Sequence, residues 1–499
     1  MKLEVDVAIV GSGAGGGAVL DRLLPLIGQG LKVAVLEAGP YFTRDYFTQR
    51  EVEMMGIFWG NGAWPTADGA ITMMMGKAVG GSTAMYTGVT FRAPDEVLLE
   101  WGIPGLTPED LKPRYEALEQ ALNVHAPPAD FVNDNNRLFK EACAKLGWPC
   151  EDLRLNLRDC DQNGYCNLGC VSGGKQGTLE VQIPRAVAAG VTLVPNCTVE
   201  RVQDRTLFAQ VQPAPAGTQP GPYSIGPLEV KARLIVLAAG CPGTPALLLR
   251  SGLPGLSDSL GRCVTVHPAV TGFGIYPHPI KNYRGFPKTY YTPRFSKSQG
   301  YYLETCFYYP FSTAKSVHGW GPEHRSLMRR YNRMLSILIL LHDPALPSNR
   351  VTLSRGQAKL IYRIHPDNIK ALAHAQASSA KIFFAAGCDS VHVSLSDKFE
   401  LSRAEAAADP GRFIRPENFI PGTTPVSSAH PQGGCRMGID PKTSITDPLG
   451  RVHGYPWLRV ADSSLFPKSS HVNPYLTIMA LADRVADGIL ADQRELFQA

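Results

Sequence analysis

The chain lacks the features by which several classes of protein are recognised. Its net charge of +5 is small for 499 residues, and no run of lysine and arginine alternates with aromatic residues, so no nucleic-acid partner is expected. The longest apolar run, from Met334 to Leu341, is far too short to cross a bilayer. The first strand-like run starts within a few residues of Met1, which leaves no room for a signal peptide. We therefore expect a cytoplasmic protein without a transmembrane segment.

Cysteine is present but not in the arrangement of a disulfide framework. The eleven cysteines are an odd number and are scattered, apart from a cysteine cluster formed by Cys160, Cys166 and Cys170 beside Asp161, unlike the pattern of small secreted proteins. No internal repeat or low-complexity tract stands out. With 44% hydrophobic and 19% charged residues, the composition is that of an ordinary globular enzyme with two or three domains.

The N-terminal segment has the pattern of a dinucleotide-binding unit. An apolar run over 5–10 leads to Gly11, Gly13 and Gly16 and then to a helix-period leucine pattern, and a second apolar run ends at Glu37. Gly11 permits a tight turn, Gly13 lets backbone N–H groups approach a pyrophosphate, and Gly16 lets the helix pack on the strand. Glu37 stands where a carboxylate accepts hydrogen bonds from ribose hydroxyls and would repel a 2′-phosphate. Although glycines can open any helix, this combination predicts NAD or FAD rather than NADP.

Three further segments predict other parts of the same architecture. Gly80-Gly81-Ser82-Thr83 suits a helix N-terminus that a ligand approaches closely, with a plain capped turn as the alternative. The buried-type run 231–240 predicts a second crossover into the same sheet. Aromatic-rich runs between 267 and 421 predict a separate sheet with a pocket, although these aromatic residues could equally belong to a core. Asn473-Pro474 predicts the start of a helix over 475–490.

These motifs, taken in order, resemble the glucose–methanol–choline (GMC) family of FAD oxidoreductases over almost the whole chain. The glycine turn with Glu37 resembles the FAD-ADP fold of that family, and 80–83 resembles its first signature. The segment 240–252 resembles its second signature, with Cys241 where a small Ser, Thr, Ala or Pro is usual. Two segments near the C-terminus, around His430 and Asn473, are most similar to the long-chain alcohol oxidase and cholesterol oxidase branches.

The resemblance assigns the chemistry to His430 and Asn473. His430-Pro431-x-Gly433 carries the catalytic histidine of the family, and an imidazole suits a general base because its unperturbed pKa lies near physiological pH. Asn473 falls where the family has the partner His or Asn, and its amide could hold the substrate oxygen. His471 is the rival for either role and is placed second. Either histidine could instead be a hydrogen-bonded core residue, and His267 is interpreted as structural.

The resemblance also implies the cofactor contacts. The helix that opens at Pro474 could stabilise the negative charge of a reduced flavin, and Asp462 lies in a strand that reaches the ribityl chain. The full set of expected cofactor-binding residues is Gly11, Ser12, Gly13, Ala14, Gly16, Glu37, Ala38, Gly80, Gly81, Ser82, Thr83, Val199, Ala239, Gly240, Asp462, Asn473 and Pro474.

Two departures from the family pattern follow the first signature, where a usual Asn is replaced by Tyr86 and a histidine is missing, and the cysteine cluster is a separate question. Relatives with covalent flavin have a histidine just after the first signature, whereas this chain has Ala84-Met85-Tyr86, so non-covalent FAD is expected. Some relatives hold a three-iron cluster on a cysteine-rich loop, but the spacing of the cysteine cluster differs from theirs. A similar loop, with no metal implied, occurs in the alcohol oxidase branch. Since iron–sulfur ligation needs consistent thiolate spacing, no metal is expected.

The sequence therefore predicts an α/β protein. A doubly wound, Rossmann-like FAD-binding domain is expected from 1–100, 150–266 and 422–499, with an interleaved sheet-based α+β substrate domain at 267–421 and a helical insertion at 101–149. The resemblance implies FAD-dependent oxidation of an alcohol to an aldehyde or ketone, with a bulky or apolar alcohol favoured. A sugar dehydrogenase that uses a quinone or cytochrome instead of oxygen, a non-redox lyase or photodecarboxylase of the same fold, and an NAD-dependent enzyme are the alternatives.

Overall fold

The computed structural model describes the whole chain except Lys281, Tyr283, Gln498 and Ala499. Over these residues the strands are β1 (Lys2–Val10), β2 (Val33–Leu36), β3 (Tyr41–Phe42), β4 (Trp64–Pro65), β5 (Ile71–Met73), β6 (Val89–Thr90), β7 (Val124–His125), β8 (Glu151–Asp152), β9 (Arg154–Asn156), β10 (Thr192–Val194), β11 (Cys197–Gln203), β12 (Thr206–Val211), β13 (Thr218–Gln219), β14 (Gly226–Leu237), β15 (Ala269–Ile275), β16 (Tyr290–Thr292), β17 (Tyr301–Thr305), β18 (Met334–Leu341), β19 (Arg350–Ser354), β20 (Gln357–Ile361), β21 (Ser390–His392), β22 (Leu401–Ser402), β23 (Val426–Ser428), β24 (Arg451–Val452) and β25 (Tyr455–Val460). The α-helices are α1 (Ala14–Ile27), α2 (Glu51–Met54), α3 (Asp95–Trp101), α4 (Pro108–Ala121), α5 (Asp134–Lys145), α6 (Gln182–Ala188), α7 (Gly240–Ser251), α8 (Ser296–Gln299), α9 (Pro310–Ser316), α10 (Gly321–Met328), α11 (Pro366–Ala386), α12 (Arg403–Ala406), α13 (Tyr475–Ala491) and α14 (Gln493–Phe497).

The first sheet is built around β1, whose apolar residues are buried on both faces. Strands β10, β2, β1 and β14 lie side by side and parallel, and β14 also pairs with β25 in parallel and with β12 antiparallel. Helix α1 connects β1 to β2 and packs against α13. The parallel strands β1, β2, β14 and β25 end at one edge of the sheet, which is where ligands bind in doubly wound folds. The expected α/β fold class is confirmed.

The second sheet pairs its main strands in the order β4-β5-β23-β15-β18-β17-β16-β8. Helix α11 packs on one face, where Leu303, Ile337 and Phe383 belong to one buried core. The opposite face carries a smaller buried group that includes Ala269 and Leu338. This sheet is buried on both sides, which explains why β18 is a continuous apolar run rather than an alternating one.

Hydrogen bonding divides the chain between the two sheets at places that differ from the expected boundaries. Strands β4, β5, β8 and β23 lie in segments expected for the FAD-binding domain, yet they pair within the second sheet. Helix α5, in the expected insertion, packs against α11. Such short strands have little pattern of their own, and the edge they join is decided by packing.

Among the described residues, no helix is both long and apolar enough to cross a membrane.

Candidate active site

Three glycines of the N-terminal turn are required by close packing. Gly11 has a φ of +99°, and a Cβ added there would lie 2.3 Å from the carbonyl oxygen of Ala238. A Cβ on Gly16 would lie 2.1 Å from the carbonyl oxygen of Gly11, as expected for a helix that packs on its strand. Gly15, which sequence reasoning did not single out, is the tightest of the three, because its Cβ would lie 1.7 Å from the carbonyl oxygen of Ala461.

Gly13 has a different environment, which suits an approaching phosphate group. A Cβ added at Gly13 would have only the Cα of Gly81 within contact distance, at 3.7 Å, and one added at Gly240 would meet no atom within 4 Å. The N–H groups of Ala14 and Gly15, at the start of α1, have no acceptor among the described residues. Free N–H groups at the N-terminus of a helix bind anions. The turn therefore fits the pyrophosphate of a dinucleotide.

Glu37 and Ser12 join the first turn to the second glycine segment. The buried Glu37 carboxylate accepts hydrogen bonds from the N–H (3.0 Å) and Oγ (2.7 Å) of Ser12 and from the N–H of Gly39 (2.8 Å). Ser12 Oγ in turn accepts from the N–H of Gly80 at 2.9 Å. Burial raises the pKa of Glu37, and these hydrogen bonds oppose the rise. Oε2 accepts both bonds from Ser12, whereas Oε1 accepts only that from Gly39 and keeps a lone pair, so the position fits a ribose hydroxyl.

The segment after Gly80 is a single 3₁₀ turn over Gly81–Ala84 rather than the start of an α-helix. Gly80 and Gly81 have φ values of +91° and +53°, and Thr83 Oγ1 donates to the carbonyl of Gly80 at 2.7 Å. A Cβ on Gly81 would lie 2.8 Å from the Cα of Gly13. The two glycine turns are therefore in backbone contact, which only residues without side chains permit.

Asp462 holds the end of β25 against the start of α7. Its carboxylate accepts from the N–H of Gly240 (2.8 Å), from Thr244 Oγ1 (2.5 Å) and from the N–H (2.8 Å) and Oγ (2.5 Å) of Ser464. Ala239 donates its N–H to Thr244 Oγ1 at 3.1 Å. Since four protein donors occupy the Asp462 carboxylate, the group that remains for a cofactor is its backbone N–H, which has no acceptor among the described residues.

The remaining expected cofactor residues are placed less distinctively. Val199 is buried on β11, Ala38 is half-buried just after β2, and the exposed Ser82 accepts a hydrogen bond from the N–H of Gly76 at 2.9 Å. Pro474 is the N-cap of α13, so the helix begins where the sequence predicts.

The site has a second histidine beside His430. The Nδ1 atoms of His267 and His430 are 3.3 Å apart, and His267 Nε2 lies 2.7 Å from Ser469 Oγ. The backbone N–H of His430 donates to Ser428 Oγ at 3.1 Å. The ring Nε2 of His430 has no partner among the described residues. If His430 donates from Nδ1 to His267, and His267 Nε2 donates to Ser469 rather than accepting from the Gln432 amide 3.3 Å away, then Nε2 of His430 keeps its lone pair. That arrangement is the one a general base requires.

The electrostatic environment keeps these imidazoles neutral. Burial lowers the pKa of His430 to about 3, and the nearby Lys288 adds to the effect. Burial also holds the pKa of His267 well below its usual value. The pKa of His430 therefore differs from the unperturbed value of a histidine, because burial disfavours the charged imidazole and the sequence does not reveal burial. A neutral imidazole is nevertheless the form that accepts a proton.

Asn473 and His471 lie on the loop before α13. The Oδ1 atom of Asn473 is buried and has no hydrogen-bond partner among the described residues. His471, with a φ of +61°, stacks its ring on that of His342, with centroids 4.3 Å apart and planes at 13°. Sequence reasoning missed His267 and His342 as neighbours of the site, because they lie just before β15 and just after β18 and no local pattern connects them with His430.

A buried lysine organises the loop that contains the cysteine cluster. Lys175 Nζ donates to the carbonyl oxygens of Ala84 (2.8 Å), Tyr86 (2.8 Å) and Cys166 (2.7 Å). This ammonium joins the loop to the segment that follows the first signature. All three cysteines are free thiols, and within the described part of the chain no group of three His, Cys, Asp or Glu side chains is arranged to hold a metal ion.

Comparisons with known proteins identify relatives of this chain. Family models described as GMC oxidoreductase match residues 54–269 and 345–482. An uncharacterised GMC-type oxidoreductase of Mycobacterium tuberculosis is 31% identical over 98% of this chain and 76% of its own length. A long-chain-alcohol oxidase of Arabidopsis thaliana is 27% identical over 97% of this chain and 68% of its own. A formate oxidase structure from Aspergillus oryzae superposes with a TM-score of 0.74 at 17% identity, covering 99% of this chain and all of that one.

Proposed function

The chain belongs to the GMC oxidoreductase family, and from that premise we propose that it binds FAD non-covalently and oxidises the CH–OH group of an alcohol, with His430 as general base. The observation that carries the proposal is the combination of two groups that have no partner among the described residues: Nε2 of the neutral His430 and the buried Oδ1 of Asn473. A buried polar atom without a partner is costly in a protein interior. A bound molecule with polar groups would remove that cost.

The residues at the sheet edge fit FAD. Glu37 would accept from the ribose hydroxyls, and the N–H groups of Ala14 and Gly15 would face the pyrophosphate. The N-terminus of α13, which begins beside Asn473, would place its positive end near the flavin ring. Bound FAD would supply the acceptor for the hydride that leaves the alcohol carbon.

The side chains of the chain itself then perform the proton chemistry. His430 would take the hydroxyl proton at Nε2, with its ring held through Nδ1 by His267. Asn473 has both a donor and an acceptor, so it would hold the alcohol oxygen without becoming charged. His471, stacked on His342, would act on the loop that carries Asn473 and not on the substrate.

The test is anaerobic mixing of the purified yellow protein with a panel of alcohols, followed by mixing with oxygen. Bleaching of the flavin by an alcohol supports alcohol oxidation and excludes a non-redox flavin enzyme. Rapid return of the colour with oxygen supports an oxidase, whereas slow return points to a quinone or cytochrome acceptor. A colourless protein that binds NAD would overturn the proposal.

Variants assign the roles. His430→Ala should keep FAD but slow flavin reduction by roughly 10²–10⁴, the usual contribution of a positioned general base. Asn473→Ala should slow it less, and the two losses should not add, because both groups hold the same oxygen. His471→Ala should be the mildest of the three. If His471→Ala reduces the flavin far more slowly than wild type while Asn473→Ala is nearly unaffected, the roles on this loop are assigned to the wrong residue.

A further inference from the structure

A buried ion pair lies on the face of the second sheet that is opposite α11. Lys288 Nζ is 2.7 Å from Glu304 Oε2, and the two side chains are only 7% and 1% exposed. Glu304 lies on β17 directly across from Leu338 of β18, so the two side chains share one face of the sheet. The neighbouring residue Leu303 points the other way, into the core under α11.

The ion pair lies near enough to His430 for its charge to act on that imidazole. Leu338 pairs with Thr271 of β15, and Ala269, two residues earlier, pairs with Ser427 of β23. Two steps between neighbouring strands therefore separate Glu304 from Thr271, about 10 Å. His267, two residues before Ala269, contacts the ring of His430. The charge of Lys288 is close enough to contribute to the lowered pKa of His430.

The ion pair is incompletely satisfied by the protein. Glu304 Oε1 is buried and has no hydrogen-bond partner among the described residues. A lysine ammonium has three donors, and the single acceptor recorded for Lys288 within the described chain is Glu304 Oε2. A buried ion pair is favourable only when its remaining donors and acceptors are also satisfied. The pair therefore has an unsatisfied acceptor beside unsatisfied donors within the described residues.

A neutral ligand group that both donates and accepts hydrogen bonds suits both charges at once. A carboxylate would pair with Lys288 but be repelled by Glu304, and an ammonium would have the opposite difficulty. A hydroxyl donates one hydrogen bond and accepts others, so it satisfies Glu304 Oε1 and Lys288 together. An unbranched alkyl chain would leave Glu304 Oε1 and the remaining Lys288 donors unsatisfied, which is the costly case. The apolar side chains of Cys306, Leu338 and Leu340 nearby would contact the carbon skeleton.

We propose that Lys288 and Glu304 form a substrate subsite that binds a second hydroxyl, and that the substrate is a diol or polyol rather than a simple long-chain alcohol. The inference rests on the proposed alcohol oxidation. It also changes the preference for an apolar alcohol that the sequence suggests, since that preference depended on aromatic residues and branch resemblance alone.

The experiment compares matched pairs of 1-alkanols and α,ω-diols of equal chain length, together with a cyclitol and a hexose. Two quantities are measured on the FAD-loaded protein: kcat/KM for anaerobic flavin reduction, and Kd from the change in flavin absorbance or in melting temperature. Wild type should favour the best hydroxylated compound over its matched alkanol by at least about tenfold in both quantities, because a site built around hydrogen bonds rejects analogues that lack them.

The key variant is the double substitution Lys288→Met with Glu304→Leu. Replacing both partners of a buried ion pair by apolar residues of similar size is often tolerated, so the fold is expected to survive. The variant should lose the preference for hydroxylated compounds and gain in relative rate on alkanols. Lys140→Met is the control. Lys140 lies against the ring of Tyr290, and the Tyr290 side chain is part of the core on the α11 side of the sheet. This variant should keep the wild-type preference for hydroxylated compounds over alkanols.

The outcomes separate the two proposals. Preferential binding of a diol or polyol without any flavin reduction would support the subsite and overturn the alcohol oxidation. Two outcomes with flavin reduction would overturn the subsite alone. In the first, wild type prefers alkanols. In the second, the double variant keeps the wild-type preference for hydroxylated compounds.

Discussion

The lowered pKa of His430 predicts an unusual pH dependence of flavin reduction. With a pKa of about 3, His430 stays neutral at about pH 5, so lowering the pH from about 8 to about 5 should change the anaerobic reduction rate less than about twofold. A histidine with its ordinary pKa of about 6.5 would be only about 3% neutral at that pH, and the rate would fall roughly 30-fold. The lowered pKa of His430 therefore determines whether the rate of flavin reduction falls as the pH drops from about 8 to about 5.

The measurement is stopped-flow flavin reduction at saturating alcohol across this range, with His430→Ala as the reference. Stability needs a parallel control. Because the pKa of His430 is lower in the folded state than in the unfolded state, the unfolded chain binds more protons below about pH 6.5 and stability falls as the pH drops. Flavin content and melting temperature should therefore be recorded at each pH. A rate that follows a single ionisation near pH 6.5 in a protein that stays folded would refute the burial argument.

Three other predictions concern the cofactor. Glu37→Ala should weaken FAD binding because the ribose hydroxyls lose a charged acceptor worth about 1.5–3 kcal/mol, and full flavin retention after dialysis would contradict that role. Gly15→Ala should destabilise the fold by about 1–3 kcal/mol or more, since its Cβ would overlap the carbonyl of Ala461. Gly13→Ala should instead keep the melting temperature of the apoprotein and lose FAD affinity. Equal melting temperatures for the two variants would refute this difference. Iron and sulfide should be absent from protein purified anaerobically, and about three irons per chain would show that the cysteine cluster binds a metal.

The parts of the fold that could be predicted are those encoded by neighbouring residues. The strand–turn–helix at the N-terminus was predictable because φ at Gly11 and the helical periodicity after it are local properties. The start of α13 at Pro474 has the same origin. The role of Gly15 could not be predicted, because it depends on the carbonyl of Ala461, far along the chain, and the first of three consecutive glycines shows no special pattern.

The candidate site also combines residues that local sequence patterns predict with contacts that only the folded chain reveals. His430 and Asn473 were found through short motifs, and the acid at Glu37 through its spacing from the glycine turn. The contact between His267 and His430, the stacking of His342 on His471, and the meeting of Lys288 with Glu304 arise only when strands from separate parts of the chain pair. The sequence by itself determined which residues are the candidates for the chemistry. The tertiary structure decided their protonation and their neighbours, because desolvation and charge–charge interactions depend on distances in space that no local pattern contains.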